Sequence, residues 1–190
     1  MSAEVESIFR AAGAILEGHF QLASGLHSAT YWEKFKVLQY PHYTEQLCSM
    51  IAQHFRDKGT EVIAGPALGG IIIAFEVARQ LGIRYVIAEK ESDGRTFKRG
   101  FNIKPGEKVL IVDDVLTTGT SVLEVIKAVK NLGGEPMGVG VLVDRSQGSI
   151  TFDVPFFSCY QVAIPTYTPE QCPLCAQGVP LTKPGSSPKR

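Results

Sequence analysis

The sequence predicts an α/β fold, an open and mostly parallel central sheet with helices on both faces. Three observations carry that reading. Residues 61–64, 109–112 and 138–143 are short apolar runs with little polar alternation, as expected of strands buried on both faces. Stretches with apolar residues at helical spacing separate them. The turns between are brief, so successive strands are joined by helical crossovers.

Length and composition agree. A chain of 190 residues buries about 70% of its unfolded surface as one domain. Hydrophobic residues make up 44% and charged residues 20%, which excludes wholesale disorder. Lys plus Arg and Asp plus Glu number 19 each, so no global basic field invites nucleic acid. The apolar runs are too short to cross a bilayer, and MSAEVESIFR lacks the basic-then-apolar order of a signal peptide. Four cysteines do not suggest a disulfide scaffold, so a cytoplasmic location is expected, with no membrane partner.

In chain order, residues 4–17 place Val5, Ile8, Phe9, Ala12, Ile15 and Leu16 on one helical face, and Gly18 ends the helix. Residues 19–32 follow, with Phe20 and Leu22 alternating, a turn at Ser24-Gly25 and two large rings at Tyr31-Trp32. A second helix over about 42–58 repeats Tyr43, Leu47, Ile51 and Phe55, and Cys48 beside them reads as a small buried hydrophobe. The strand 61–64 leads through GPALGG, residues 65–70, into a helix over 71–81. Gly69 and Gly70 let backbone N–H groups approach an anion at that helix start.

A strand over 84–88 precedes a polar excursion, residues 89–108, bearing Lys90, Arg95, Lys98, Arg99 and Lys104. Such a loop is either solvated surface or a mobile basic lid that neutralises departing phosphate. Then comes VLIVDDVLTTGTS, residues 109–121. A buried strand ends in Asp113 and Asp114, a run of small hydroxyl residues follows, and a helix begins at once. Ser121 and Glu124 have capping-box spacing, and Val122, Val125, Ile126 and Val129 line one face before Gly133. The helix start favours a phosphate, and the two carboxylates beside it require sugar hydroxyls or a divalent metal between them.

Beyond that motif, the strand 138–143 ends in Val-Asp-Arg. Arg145 sits at the ligand-binding rim of a parallel sheet, where a guanidinium grips a planar carboxylate with two parallel bonds and Asp144 can orient it. Residues 149–164 supply a last strand through Tyr160, Val162 and Ile164, with Phe156-Phe157 packing before it. The proline-rich tail carries one CxxC, Cys172 and Cys175. Inert thiols, half of a zinc site completed by a dimer mate or distant histidines, and a disulfide all remain open.

The string 109–121 resembles the ribose-phosphate signature of type I phosphoribosyltransferases. The segment 19–32 resembles the small N-terminal hood of the orotate-using members, as do VDRSQG and the CPLCxxGxPL tail. The resemblance implies Mg2+-dependent, reversible transfer of ribose 5-phosphate from phosphoribosyl pyrophosphate to N1 of orotate, giving orotidine 5′-phosphate and pyrophosphate in UMP biosynthesis. It implies that Asp113 and Asp114 hold the ribose hydroxyls, with Val115, Leu116, Thr117, Thr118, Gly119, Thr120 and Ser121 wrapped around the 5′-phosphate. Ala67, Leu68, Gly69 and Gly70 would hold the pyrophosphate, commonly with a cis peptide around Ala67-Leu68. Lys90, Arg95, Lys98 and Arg99 would belong to a loop closing over a neighbouring subunit's site in a homodimer.

Orotate would meet Thr117, Arg145, His27 and the backbone at Tyr31 and Trp32. The ion would ride on pyrophosphate and ribose oxygens, with no dedicated protein metal site. The implied domain spans 1–168, with a hood formed mainly by 1–40 and a mobile loop at about 90–102; residues 169–190 form an extension with a disordered end. His27 stands where the family often has lysine, and neither a lysine in the loop at 68–69 nor a histidine in the catalytic loop is present. The alternatives are transfer to another base such as a purine, which would not need Arg145, and a phosphoribosyl-pyrophosphate-sensing regulator without turnover, which the neutral charge disfavours.

Overall fold

The computed structural model describes residues 2–22 and 24–184. The chain opens with α1 (Ser2–Ala11), β1 (Ile15–Gln21), β2 (His27–Trp32), α2 (Phe35–Leu38) and α3 (Pro41–Phe55). It continues through β3 (Val62–Pro66), α4 (Gly69–Leu81), β4 (Arg84–Glu91), β5 (Gly94–Phe97) and β6 (Lys108–Leu116). The elements α5 (Thr120–Asn131), β7 (Glu135–Asp144), β8 (Phe156–Gln161) and α6 (Pro173–Ala176) complete it. No described helix is long and apolar enough to cross a membrane.

Six strands form one sheet in the order β5-β4-β3-β6-β7-β8, parallel at every pairing except β4 with β5. The chain leaves β3 through α4 for β4 on one side, then returns to β6 on the other. The carboxyl ends of β3 and β6 are therefore the point where connections diverge, and a ligand crevice opens there. Strand alternation divides the core between two faces. Ile63, Leu110 and Val112 pack with Leu47, Ile51 and Phe55 of α3 and Ile73 and Val77 of α4. Val62, Ala64, Val109 and Ile111 pack with Val122, Val125 and Val129 of α5. Burial on both sides explains why these strands read as unbroken apolar runs.

Four local expectations are corrected. The first helix stops at Ala11, not near residue 17. Ala14 N–H donates to Phe9 O and Gly13 N–H to Arg10 O, a closure that needs the positive φ of 62° at Gly13. Ile15 and Leu16 instead join β1, opposite Trp32 and Tyr31 of β2. The excursion after β4 begins as an antiparallel hairpin, with Lys90 opposite Arg95. The capping box of α5 does not form: Gly119 is the N-cap, no side chain caps the helix, and Glu124 pairs with Arg95 at 3.3 Å. Finally, Phe156 and Phe157 lie within β8 rather than before it, and Val162 and Ile164 lie past its end.

The C-terminal segment is folded as far as it is described. A 3-10 turn at Pro169–Gln171 and α6 lead back to the β1–β2 hairpin. There Gln21 N–H donates to Thr182 O and Thr182 N–H to His19 O, while His27 and Tyr167 exchange both backbone bonds. The disordered end expected of this tail falls on residues 185–190, outside the described residues.

Candidate active site

Two helix starts face the crevice without side-chain caps. β3 runs into Ala67-Leu68, whose peptide is cis, and α4 begins at Gly69 with Leu68 as its N-cap. β6 runs through Leu116 into the hydroxyl-rich loop and α5. Each helix thus leaves its first N–H groups to a ligand rather than to its own side chains. Asp113 and residues 115–122 line a cleft of about 40 Å3, the scale of one small group. Thr117, Thr118 and Thr120 are exposed at its mouth.

The two aspartates are buried and held differently. Asp113 Oδ1 accepts the Asp114 N–H at 2.8 Å, and Asp114 Oδ1 accepts the Val115 N–H at 2.6 Å. Lys34 Nζ lies 2.9 Å from Asp114 Oδ1 and 2.8 Å from Oδ2. Burial first, and then the neighbouring Asp114 charge, push the Asp113 carboxyl up to about 7. Lys34 was not anticipated: no local pattern links it to an aspartate 80 positions away. A Cβ at Gly69 would overlap the Asp114 carboxylate and meet its Cβ, so the two cradles touch at this glycine. Gly69→Ala is therefore expected to displace the loop or Asp114 and to lower kcat/KM for a phosphoribosyl substrate roughly 10²-fold. Steady-state kinetics showing less than a threefold loss would refute this contact as functional.

Arg145 follows β7, and its N–H donates to Leu116 O at 2.8 Å, fastening it beside the aspartate motif. Its Nε is buried without a hydrogen-bond partner, and burial holds the guanidinium below the usual arginine range. Burial first, and then the Glu33 charge, raise the Tyr31 phenol, while Lys34 and Arg145 pull it down. Asp144 does not orient Arg145; it accepts the Ser146 N–H at 2.8 Å and holds the turn. The Trp32 ring stacks on Tyr160 and contacts Phe9 in the core, which leaves only its backbone for a ligand. His27 is a correction. It is 3% exposed, and its Nδ1 faces His19 Nε2 and Cys175 Sγ, so it is not available to a base at the rim.

Among the basic residues, Lys90 is exposed at the end of β4. Arg95 lies behind the first cradle, where its guanidinium donates to Ala88 O at 3.1 Å and Ala67 O at 3.4 Å. That placement makes it a brace for the loop rather than a direct anion contact. Lys98 pairs with Glu91 at 3.0 Å and Arg99 with Glu89 at 2.6 Å, both on the surface. A larger cleft of about 390 Å3 lies past β7 and β8, walled by Gln147, Ile150, Phe156 and Gln161. Its lining takes in no helix start, whereas the smaller cradle includes the first residues of α5, so the anion chemistry belongs to the smaller cradle and not to the roomier space.

Comparison with known proteins gives a consistent result. The family described as Phosphoribosyl transferase domain matches residues 37–163. The orotate phosphoribosyltransferase of Desulforamulus reducens is 50% identical over 183 residues, 96% of each chain. That of Caldanaerobacter subterraneus subsp. tengcongensis is 51% identical over the same length and coverage. Among solved structures, an orotate phosphoribosyltransferase from Aeropyrum pernix superposes with TM-score 0.70 at 23% identity, covering 83% of this chain and 93% of that one. An adenine phosphoribosyltransferase from Rhodothermus marinus reaches TM-score 0.66 at 19% identity, covering 85% and 100%. The fold is therefore shared by enzymes for different bases and does not by itself select one.

Proposed function

The chain belongs to the phosphoribosyltransferase family, and within it to the orotate phosphoribosyltransferases; on that premise we propose how its residues divide the work. The reaction is transfer of ribose 5-phosphate from phosphoribosyl pyrophosphate to N1 of orotate, a step in UMP biosynthesis. The observation that carries this reading is half-identity to orotate enzymes along nearly the whole of both chains. Arg145, with its unpartnered buried Nε at the rim, adds a chemical reason.

In this reading the ribose hydroxyls donate to Asp113 and Asp114, and the 5′-phosphate sits over residues 115–121 at the start of α5. Backbone groups at residues 67–70 hold the pyrophosphate. Orotate N1 attacks C1 of the ribose as the bond to pyrophosphate oxygen breaks, and that electron pair leaves with pyrophosphate, with inversion at C1. The acidic N1 proton passes to the departing pyrophosphate, itself a basic oxyanion, so no protein base is assigned. Lys90, Lys98 and Arg99 offset the departing charge, Arg95 positions the loop, and Arg145 takes the orotate carboxylate. Thr117 and the backbone at Tyr31 and Trp32 complete the base site.

Mg2+ takes oxygen ligands, and the crevice offers two carboxylates, of which Asp114 is already engaged by Lys34. That donor set suits an ion carried mainly on pyrophosphate and ribose oxygens, with no dedicated protein site. When bound, it supplies neutralisation of pyrophosphate charge.

The domain in this reading spans 1–168 with 169–190 as an extension, and the location is cytoplasmic. The assembly is a homodimer that exchanges the loop after β4 between sites. Leu68, Ile72 and Phe75, at spacings of four and three, form an exposed apolar line beginning in the pyrophosphate loop and running along α4, which supports such an interface. Phe75→Glu is expected to yield a monomer by sedimentation, with little remaining turnover; a dimer of full activity would place the interface elsewhere.

The test of function is pyrophosphate release from phosphoribosyl pyrophosphate and Mg2+, with orotate, uracil, adenine and hypoxanthine offered separately. Release is expected with orotate alone. Turnover with a purine would keep the crevice and overturn the assignment of Arg145, whereas no turnover with any base would remove the enzymatic reading.

A further inference from the structure

Beneath the β1–β2 hairpin, four side chains from separate parts of the chain converge: His19, His27, Cys172 and Cys175. Their donor atoms all lie within 4.8 Å of one another. His19 Nε2 is 3.1 Å from His27 Nδ1, 3.4 Å from Cys172 Sγ and 3.7 Å from Cys175 Sγ. Cys175 Sγ is 3.2 Å from His27 Nδ1. A tetrahedral zinc ion, with Zn–N near 2.0–2.1 Å and Zn–S near 2.3 Å, spaces its ligand atoms roughly 3.3–3.8 Å apart. These four separations fall within a few tenths of an ångström of that range, and the other two pairs lie within 4.8 Å.

Hydrogen bonding alone does not account for the cluster. His19 Nδ1 lies 2.8 Å from Val179 O. A carbonyl only accepts, so Nδ1 carries the hydrogen, and in the neutral ring Nε2 then has one lone pair and no hydrogen. Three polar atoms crowd that single lone pair, whereas a cation at the centre satisfies all four donors at once. The bond from Nδ1–H to a backbone carbonyl is also what orients a metal-bound histidine and sets its tautomer. Burial fits as well: His19, His27 and Cys172 are each 3% exposed, while Cys175 reaches the surface and offers an entry side.

We propose that His19, His27, Cys172 and Cys175 form a structural zinc site that pins the C-terminal segment across the hairpin. Two thiolates and two imidazoles favour zinc over the hard, oxygen-seeking cations. Four protein ligands close the tetrahedron, so the ion binds no substrate. The main chain is paired at the same places, with Thr182 N–H on His19 O and Tyr167 N–H on His27 O. β2 leads from His27 to Tyr31, so the clamp steadies the strand that supplies one wall of the base site.

The experiment uses the full chain, purified without an affinity tag. Elemental analysis is expected to find one zinc per chain, and replacement by Co2+ to give the ligand-field and thiolate-to-cobalt bands of a tetrahedral site. Cys48 and Cys159 are buried in the core, so all four thiols should resist titration in the native chain and two should become reactive once a chelator is added. Chelation should also lower Tm by roughly 5–10 °C, reversibly on adding Zn2+. Cys175→Ala should lose the cobalt bands, and Cys175→His should retain zinc with a weakened thiolate band. The proposal is overturned if the native chain takes up neither metal stoichiometrically. It is equally overturned if the bands survive in Cys172→Ser/Cys175→Ser, or if reductant rather than chelator releases the two thiols, which would mean a disulfide.

Discussion

Arg145→Ala is expected to lower kcat/KM for orotate roughly 10²–10³-fold while leaving KM for phosphoribosyl pyrophosphate within about threefold. A guanidinium on a carboxylate makes two charge-assisted bonds, together about 3–4 kcal/mol in a site shielded from water. The half-buried setting of Arg145 and its unpartnered Nε place it in that regime rather than among surface ion pairs. Arg145→Lys keeps the charge but not the fork, so it should recover only part of the loss. A fall below tenfold in the alanine variant would mean that orotate is selected by the hairpin and not at the end of β7.

Asp113→Asn is expected to do two opposite things. Activity should drop at least about 10²-fold, because an amide is a weaker acceptor for ribose hydroxyls as charge develops. The free protein should nevertheless melt higher at pH 8, by roughly 2–4 °C for each kcal/mol of relieved charge burial. The sign follows from the raised carboxyl. Its ordinary value is 3.8 and its folded value about 7, so folding disfavours the ionised form. The associated stability is fully present below about 3.8, is lost as pH rises to about 7, and stays lost above it. The melting gap between variant and parent should therefore be larger at pH 8 than at pH 5. Equal gaps, or a less stable variant at pH 8, would show that the Asp113 charge is compensated. The same titration predicts that KM for phosphoribosyl pyrophosphate falls as pH rises through about 7 in the parent enzyme.

Much of the candidate crevice was legible as structure because it is local. The run through residues 109–121 combines strand, carboxylates, loop and helix in one stretch, and burial on both faces made β3, β6 and β7 readable. Errors arose where a short-range pattern served a different end. Ile15 and Leu16 continue a helical stripe across a turn at Gly13, and Glu124 has capping spacing yet answers Arg95. What depended on distant partners was not legible. Lys34 meets Asp114 only because the start of α2 folds against the end of β6, and His27 joins a cysteine 148 positions away. A CxxC alone could not announce which histidines would complete it.

The strand order has a consequence for how such a protein changes over time. The groups proposed to touch the sugar phosphate and pyrophosphate come from the ends of β3, β4 and β6 and from the loop after β5. Apart from Thr117, the proposed base contacts come from the hairpin, which is a separate two-stranded sheet, and from the end of β7. The residues that meet the shared donor are thus largely distinct from those that meet the acceptor, the two sets touching where Arg145 N–H donates to Leu116 O. New acceptors can be explored by altering a hairpin and one strand end, without disturbing the machinery that activates the donor.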